Sequence, residues 1–452
     1  GLKQTPFTFT LKNNCDSYVK VYITIDSKYR ESTSAAYLKD SFLKVNLSSK
    51  GTTDGSSVLL GSQTLTELEG TNKGYILVTT GLKASEEKSY DLRVWMNGET
   101  SISDGLNKNW EGKIVVVGVA ANEPATLRET ILANNEVKTP ITAPGKEVST
   151  ASEALLASTP DDYGTSYYFR GAVKNNYVEF ANKCWRIVRV GGDGSVKLIL
   201  HNDNPTGAAN PCDAANNSAS AAFARYSGTT YESTFNTNYN DNAYVGFKFG
   251  TVGSSTYEAT HANTNNSTIL TNLETWYTNN LKAYESVIDD NVWCNDKTNV
   301  TDTTFNPYGY SNVNGLGYGT NRTYYGATQR LVSKSNSAGG TGPSLKCTGE
   351  LSKITSKVGL ITADELAFAG YAWNIGNTTT YLQENATDTY WWSLSPNAFI
   401  GGYARVWYVR GSYGYFGSIV VSNTNGVRPS ISLKSTTNVT GEGTSDKPYK
   451  VI

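Results

Sequence analysis

Histidine and methionine are nearly missing from this chain: it has two histidines and one methionine in 452 residues. With only His201 and His261, and no cysteine pair at CxxC spacing, a zinc site of the usual kind is excluded. Charge of one sign is not in excess either. Thirty-nine Lys+Arg stand against 40 Asp+Glu, a formal charge of −1, so there is no electrostatic footprint for nucleic acid or an anionic lipid surface. No apolar run approaches the roughly 18 residues that a membrane span requires. Gly1 carries neither an initiator methionine nor a basic-then-apolar signal peptide. The expectation is a trimmed chain, with any secretion signal or anchor upstream.

What the chain does hold is tyrosine, thirty of them, among 42 glycines and abundant Asn, Ser and Thr. Rigid amphipathic rings with few oxidisable thioethers suit an extracellular surface. At 452 residues the chain exceeds one ordinary core, so two or three domains are expected. Five cysteines fit an oxidising compartment, and the odd count leaves at least one thiol unpaired or joined to another chain. Cys294 with Cys347, closing a loop-rich segment, is the first pairing expected. Cys184 with Cys212 is the second, which leaves Cys15 alone.

Residues 1–120 read as strands of alternating polarity: Phe7–Leu11, Tyr18–Ile25, Leu43–Leu47, Tyr75–Thr79, Lys88–Met96 and Lys113–Gly118. Six short strands separated by Gly, Asn and Ser turns, with no long helical period, predict an antiparallel β-sandwich. The last strand is apolar throughout and is expected to be central, buried on both faces. Phe7-Thr-Phe-Thr-Leu-Lys-Asn-Asn-Cys15 and Tyr90-Asp-Leu-Arg-Val-Trp-Met96 resemble the jelly-roll domain of secreted bacterial fibre proteins of the TasA/camelysin kind. That resemblance implies pairing of an N-terminal segment with a neighbouring subunit. An open sheet edge would then be a template for self-assembly by strand addition.

Residues 121–160 change character. Asn122-Glu-Pro-Ala-Thr-Leu-Arg-Glu-Thr-Ile-Leu132 predicts a short helix capped by Asn122, and Lys138–Lys146 a Pro/Gly/Thr linker. Ser149–Leu156 is expected to add a helical turn or two. A second domain is expected over 161–452. Cys184–Val190, the turn Gly191-Gly-Asp-Gly194 and Ser195–Leu200 read as a hairpin. Ser267–Ile288 carries apolar residues at helical spacing, with Thr271 and Glu274 or else Ser267 as cap. Gly359–Thr362 reads as a strand and Thr362-Ala-Asp-Glu365 as a capping box for a helix ended at Gly370. Trp391–Leu394, stopped by Pro396, then Ala404–Arg410, Ser418–Val421 and Arg428–Leu433 complete an antiparallel set.

Six of these pieces occur in one order: Tyr167-Tyr-Phe-Arg-Gly171, Trp185–Val190, Gly359–Glu365, Trp392–Pro396, Gly426–Lys434 and Gly443–Tyr449. Together they resemble a C-terminal domain of secreted Gram-positive-type bacterial proteins. That domain has the C-type-lectin-like fold of formylglycine-generating-enzyme-like domains and retroelement-diversified receptors. The resemblance implies an α+β lectin-like fold and a surface role. The reactive cysteine pair of the enzyme branch has no counterpart here, and no acid flanks Pro396-Asn397 as calcium-dependent sugar binding would need.

The densest run of aromatic, guanidinium and glycine residues lies between these pieces, and such residue types dominate binding hot spots. Asn397, Tyr403, Arg405, Trp407, Arg410, Tyr413 and Tyr415 are therefore the candidate ligand contacts, with Tyr413 and Tyr415 foremost on a glycine-spaced turn. Alternation puts Arg405, Trp407 and Val409 on one face and Val406, Tyr408 and Arg410 on the other. Asp364/Glu365 and Asp289/Asp290 are the paired carboxylates a glycosidase would need, but the first pair reads as first-turn helix acids. The expected protein is thus an extracellular bacterial surface or filament-forming structural and adhesive protein, not an enzyme. It needs no cofactor or metal. Its expected partners are further copies of itself and a glycan or protein ligand on a host or neighbouring cell. The alternative is a secreted polysaccharide-acting hydrolase.

Overall fold

A computed structural model describes residues 2–28, 30, 32, 34–50, 58–123, 125–146 and 153–452. The chain is mainly β and divides into two compact units, Gly1–Pro124 and Ala125–Ile452.

The first unit holds β1 (Phe7–Lys12), β2 (Val19–Ser27), β3 (Leu43–Ser49), β4 (Val58–Thr64), β5 (Gly70–Thr71), β6 (Gly74–Leu82), β7 (Glu87–Met96), the short α1 (Ile102–Gly105) and β8 (Gly112–Ala120). They form two antiparallel four-stranded sheets, ordered β1-β7-β3-β4 and β5-β6-β2-β8. The alternation in Val19–Ile25 decides the packing: Val21, Ile23 and Ile25 point into one apolar cluster with Val45 and Leu47 of β3, Leu77 of β6 and Leu92 of β7. Both sheets thus contribute to one core.

The apolar strand expected at the centre is instead an outer strand. Among the described residues β8 pairs only with β2, and Val116 and Val119 are 42% and 50% exposed. A continuous apolar run has no period, so it says how hydrophobic a strand is and nothing about where pairing partners lie. β1 is an outer strand too, with Phe7 62% exposed.

The second unit begins inside the segment expected as linker. Its α2 (Leu127–Asn134) is capped by Thr126, with Glu129 closing the box, rather than by Asn122. Leu127 and Ile131 are buried in the unit's core, and Leu127 N–H donates to the Thr437 carbonyl at 2.8 Å. Of the expected turns over 149–156, residues 149–152 lie outside the described residues. Ala154–Pro160 is a strand, β9, held along its whole length by β10 (Thr165–Gly171). That pairing overrides the helical propensity of Glu-Ala-Leu-Leu.

There follow β11 (Tyr177–Phe180), β12 (Lys183–Val190), β13 (Val196–Asn202), β14 (Glu232–Thr234), β15 (Lys248–Phe249), the single turn α3 (Tyr257–Thr260), β16 (Asn265–Asn266), α4 (Thr268–Asn280), β17 (Asn291–Cys294), β18 (Thr323–Tyr324), α5 (Gly326–Leu331), β19 (Lys353–Ser356) and α6 (Ala363–Ala369). The closing strands are β20 (Tyr390–Ile400), β21 (Tyr403–Arg410), β22 (Tyr415–Val420), β23 (Thr424–Gly426), β24 (Ser430–Leu433), β25 (Val439–Thr440) and β26 (Tyr449–Val451). One eight-stranded sheet runs β24-β13-β12-β11-β26-β25, with β10 and β9 joined through β12. A six-stranded sheet runs β14-β23-β20-β21-β22, with β18 on β20. The main core holds Trp185, Trp276, Trp391, Trp392 and Trp407.

Several local expectations need correction. Ser267 caps α4, and the helix ends at Asn280, after which Lys282–Tyr284 form a 3-10 turn. Gly359–Thr362 makes a single bridge, Gly359 to Ser430, and Trp293 packs so close there that a Cβ on Gly359 would come within 2.6 Å of its ring. Pro396 does not stop β20. Its missing N–H falls at a register irregularity on either side of it, where the ladder asks for no donor. Cys184–Cys212 and Cys294–Cys347 both form disulfides, and Cys15 is free and exposed. Among the described residues no helix is long and apolar enough to cross a membrane.

Candidate functional site

The end of the β20-β21-β22 sheet carries an open aromatic patch. Tyr390 and Tyr415 flank Arg410 as cross-strand partners, and Tyr408 lies one pleat further along the same face, opposite Gly417. Tyr390 and Tyr408 stack with centroids 5.2 Å apart and 27° between planes. Glycine is required at 417: a Cβ there would meet the Tyr415 ring at 2.9 Å and the Tyr408 ring at 3.3 Å. The guanidinium of Arg410 sits 5.3 Å from the Tyr390 centroid and 4.8 Å from that of Tyr413, which is 59% exposed on the adjoining turn. The Tyr415 hydroxyl donates to Asn374 Oδ1.

The patch offers aromatic rings, phenol hydroxyls and one guanidinium. Burial, and then the neighbouring tyrosines, push the Tyr408 phenol up to about 12, and burial raises that of Tyr415. Both phenols therefore stay protonated near neutrality; Tyr408 is itself buried at the edge of the core, and the exposed ring of the patch is that of Tyr413. The Arg410 Nε–H is buried without a partner among the described residues. Beside the turn lies a hollow of about 410 Å3 lined by Lys174, Thr378, Thr379, Gln383, Glu384 and Ser412, a rim of hydroxyls with one amide, one acid and one ammonium.

The seven sequence-derived candidates divide by burial. Arg410, Tyr413 and Tyr415 meet at the patch. Tyr403 is 42% exposed and stacks on Tyr239 at 5.2 Å, at the far end of β21. Arg405 is half-buried on the opposite face from Arg410. Trp407 is in the core, against Phe416 at 4.6 Å and Trp373 at 5.2 Å, and so cannot meet a ligand. Asn397 is also fully buried, donating from Nδ2 to Tyr308 Oη and Thr328 Oγ1 at 3.1 and 2.9 Å. Sequence reasoning missed Tyr390, because it precedes the cluster, and placed Tyr408 only by alternation. The run Thr378-Thr-Thr380 was a signal for the hollow that went unused.

A second concentration of charge has a structural role. Around a cavity of about 40 Å3, Arg189 pairs with Asp161 and Glu365 at 3.0 Å each, and Lys197 with Glu365 at 2.7 Å. Arg330 joins Asp296 and Asp364, each at 2.7 Å. Burial opposes ionisation of Glu365, but Lys197 and Arg189 outweigh it and hold the carboxyl at about 2. Burial pushes Lys197 down to about 8 against the pull of Glu365. Each of these groups has an ion-pair partner, with three cations shared among four carboxylates, and the cluster fixes the N-terminus of α6 to β12 and β13.

No family model matches the chain, and no curated protein is significantly similar to it.

Proposed function

We propose that this chain is an extracellular bacterial surface protein with a structural and adhesive role. Its first unit, read as a jelly-roll-like β-sandwich, assembles subunits along an open edge. Its second unit, read as a C-type-lectin-like domain, displays a tyrosine-arginine patch to a glycan or protein ligand. The observation that carries this reading is β8: a nine-residue strand with one edge unpaired among the described residues and two half-exposed valines. Soluble chains ordinarily blunt such an edge with charge, proline or a covering segment, and Lys113 is the one charged residue of β8. Resemblance of the N-terminal motifs to secreted fibre proteins, and of the C-terminal motifs to lectin-like domains, supports the same division of labour. Two disulfides fit the oxidising compartment it requires.

Electron microscopy and sedimentation of the concentrated chain test the assembly half. Rows or strings of subunits are expected, and a monodisperse monomer at every concentration overturns it. A glycan and surface-protein array tests the display half. Binding that falls at least tenfold in Tyr413→Ala and Arg410→Ala is expected, and undiminished binding in both removes the patch. No observation favours the hydrolase: Asp364 and Glu365 are neutralised by Arg330, Lys197 and Arg189, and Asp290 is matched with Lys357.

A further inference from the structure

Lys297 is fully buried in the second unit, three residues beyond Cys294 at the end of β17. Its Nζ meets three oxygens. Two are backbone carbonyls, of His261 at 2.8 Å and Lys248 at 3.2 Å, and the third is the side-chain Oδ1 of Asn263 at 2.5 Å. The side-chain contact is the shortest of the three. Asn263 is held for it, with a left-handed φ of 58° and Nδ2 donating to the Leu351 carbonyl at 2.8 Å. Burial, with no carboxylate to oppose it, pushes the Lys297 amine down to about 7, so a large fraction is an uncharged nucleophile at neutral pH. His261 lies beside the pair. Its Nε2 bonds the Gly317 carbonyl at 2.8 Å, which leaves Nδ1 as a buried lone pair without a partner among the described residues. Burial, and then the charge of Lys297, lower its pKa to about 3, so the ring is neutral.

We propose that Lys297 and Asn263 join in an intramolecular isopeptide cross-link. The Nζ lone pair attacks Cγ of Asn263, the Cγ–Nδ2 bond breaks, and ammonia leaves. The proton that Nζ gives up is the one the departing nitrogen takes, so no oxidant or co-reactant is needed. The bond would tie the loop before α4 to the segment after β17, which the Cys294–Cys347 disulfide already fastens from its other side. A charged lysine resting on three oxygens is the competing reading, and it predicts no bond.

Peptide mapping of the full chain, digested under reducing and denaturing conditions, decides between them. The expected result is a branched peptide joining the residues around 263 to those around 297, in a chain lighter than its sequence by one ammonia. The branch is decisive rather than the mass, because Asn-Gly pairs such as Asn97-Gly98 and Asn314-Gly315 can also lose ammonia. Asn263→Asp is expected to give the same branch with loss of water, and Lys297→Arg to abolish it. Linear peptides covering both residues in the unaltered protein overturn the proposal, whatever the variants do.

Discussion

The two units solve opposite problems. The first leaves valines in solvent, at 116 and 119 on β8, while its core is a small cluster of aliphatic and tyrosine side chains. The second takes arginines inside: Arg170, Arg186 and Arg428 are all buried. Each buried guanidinium is met by oxygens. Arg170 bonds Glu153 at 3.0 Å and the Ala367 and Phe368 carbonyls at 3.1 and 3.2 Å. Arg186 bonds Asn176 Oδ1 and the Val173 carbonyl, each at 2.7 Å, and lies 3.7 Å from the Tyr177 centroid. Side-chain polarity alone therefore predicts neither what is inside nor what is outside. The supply of partners does: a charge can be buried where loops bring carbonyls to it, and a valine stays exposed where a strand has no neighbour.

Acid separates the units most strongly. Burial, followed by nearby cations, keeps both His201 and His261 neutral, the first well below 6.5 and the second at about 3. Each titrates near 6.5 in the unfolded chain. Below that pH the unfolded state binds more protons than the folded one. The histidines' contribution to stability is thus full above about pH 6.5 and falls as pH drops toward 3. At about 1.4 kcal/mol per unit, the loss due to His261 alone is on the order of 5 kcal/mol by pH 3. Because both histidines lie in the second unit, its unfolding midpoint should slide between pH 6.5 and 5 while that of the first stays level. Urea titrations across that range, repeated with His261→Gln to flatten the slope, check it.

Single changes should follow the same division. Arg170→Ala leaves Glu153 buried without its cation and is expected to cost about 3–5 kcal/mol in the second unit. Arg170→Met, which fills the space, restores part of that only if Glu153→Gln accompanies it. Removing Cys294 and Cys347 together frees a 53-residue separation and costs about 4 kcal/mol in the chain-entropy model. Calorimetry should place both losses in the second transition and leave the first unmoved.

How far the sequence foretold this also differs between the units. In the first, alternation such as Val19-Lys-Val-Tyr-Ile-Thr-Ile25 marked the strands, because one face is core and the other wet. β4, Val58-Leu-Leu-Gly-Ser-Gln-Thr64, and the two-residue β5 gave no such pattern. In the second, β12 and β13 are buried on both faces, so the Asp-Gly turn rather than the period revealed the hairpin. The patch was legible as a cluster, yet Trp407 lies wholly inside the core while its neighbour Tyr408 sits at the core's edge with its ring stacked on Tyr390. Alternation assigned them to opposite faces. Which face the core takes depends on Trp373 and Phe416, and no local pattern announces those contacts. The buried arginines were unreadable: Arg170 depends on the Ala367 and Phe368 carbonyls and Arg428 on those of Leu200 and Leu382, all far along the chain.

The smallest energetic effect is the sharpest test of the contrast. Val116→Lys and Val119→Lys alter half-exposed positions, so each should change first-unit stability by no more than about 0.5 kcal/mol. Each also sets an ammonium beside the unpaired edge of β8, which opposes the approach of another strand. Thermal unfolding and light scattering, measured on the same samples, should then part company: an unchanged midpoint with association lost. A valine covered by the chain itself would behave like a core valine and destabilise the unit by about 2 kcal/mol or more. That result would close the edge, and with it the reading of the first unit as the assembling half.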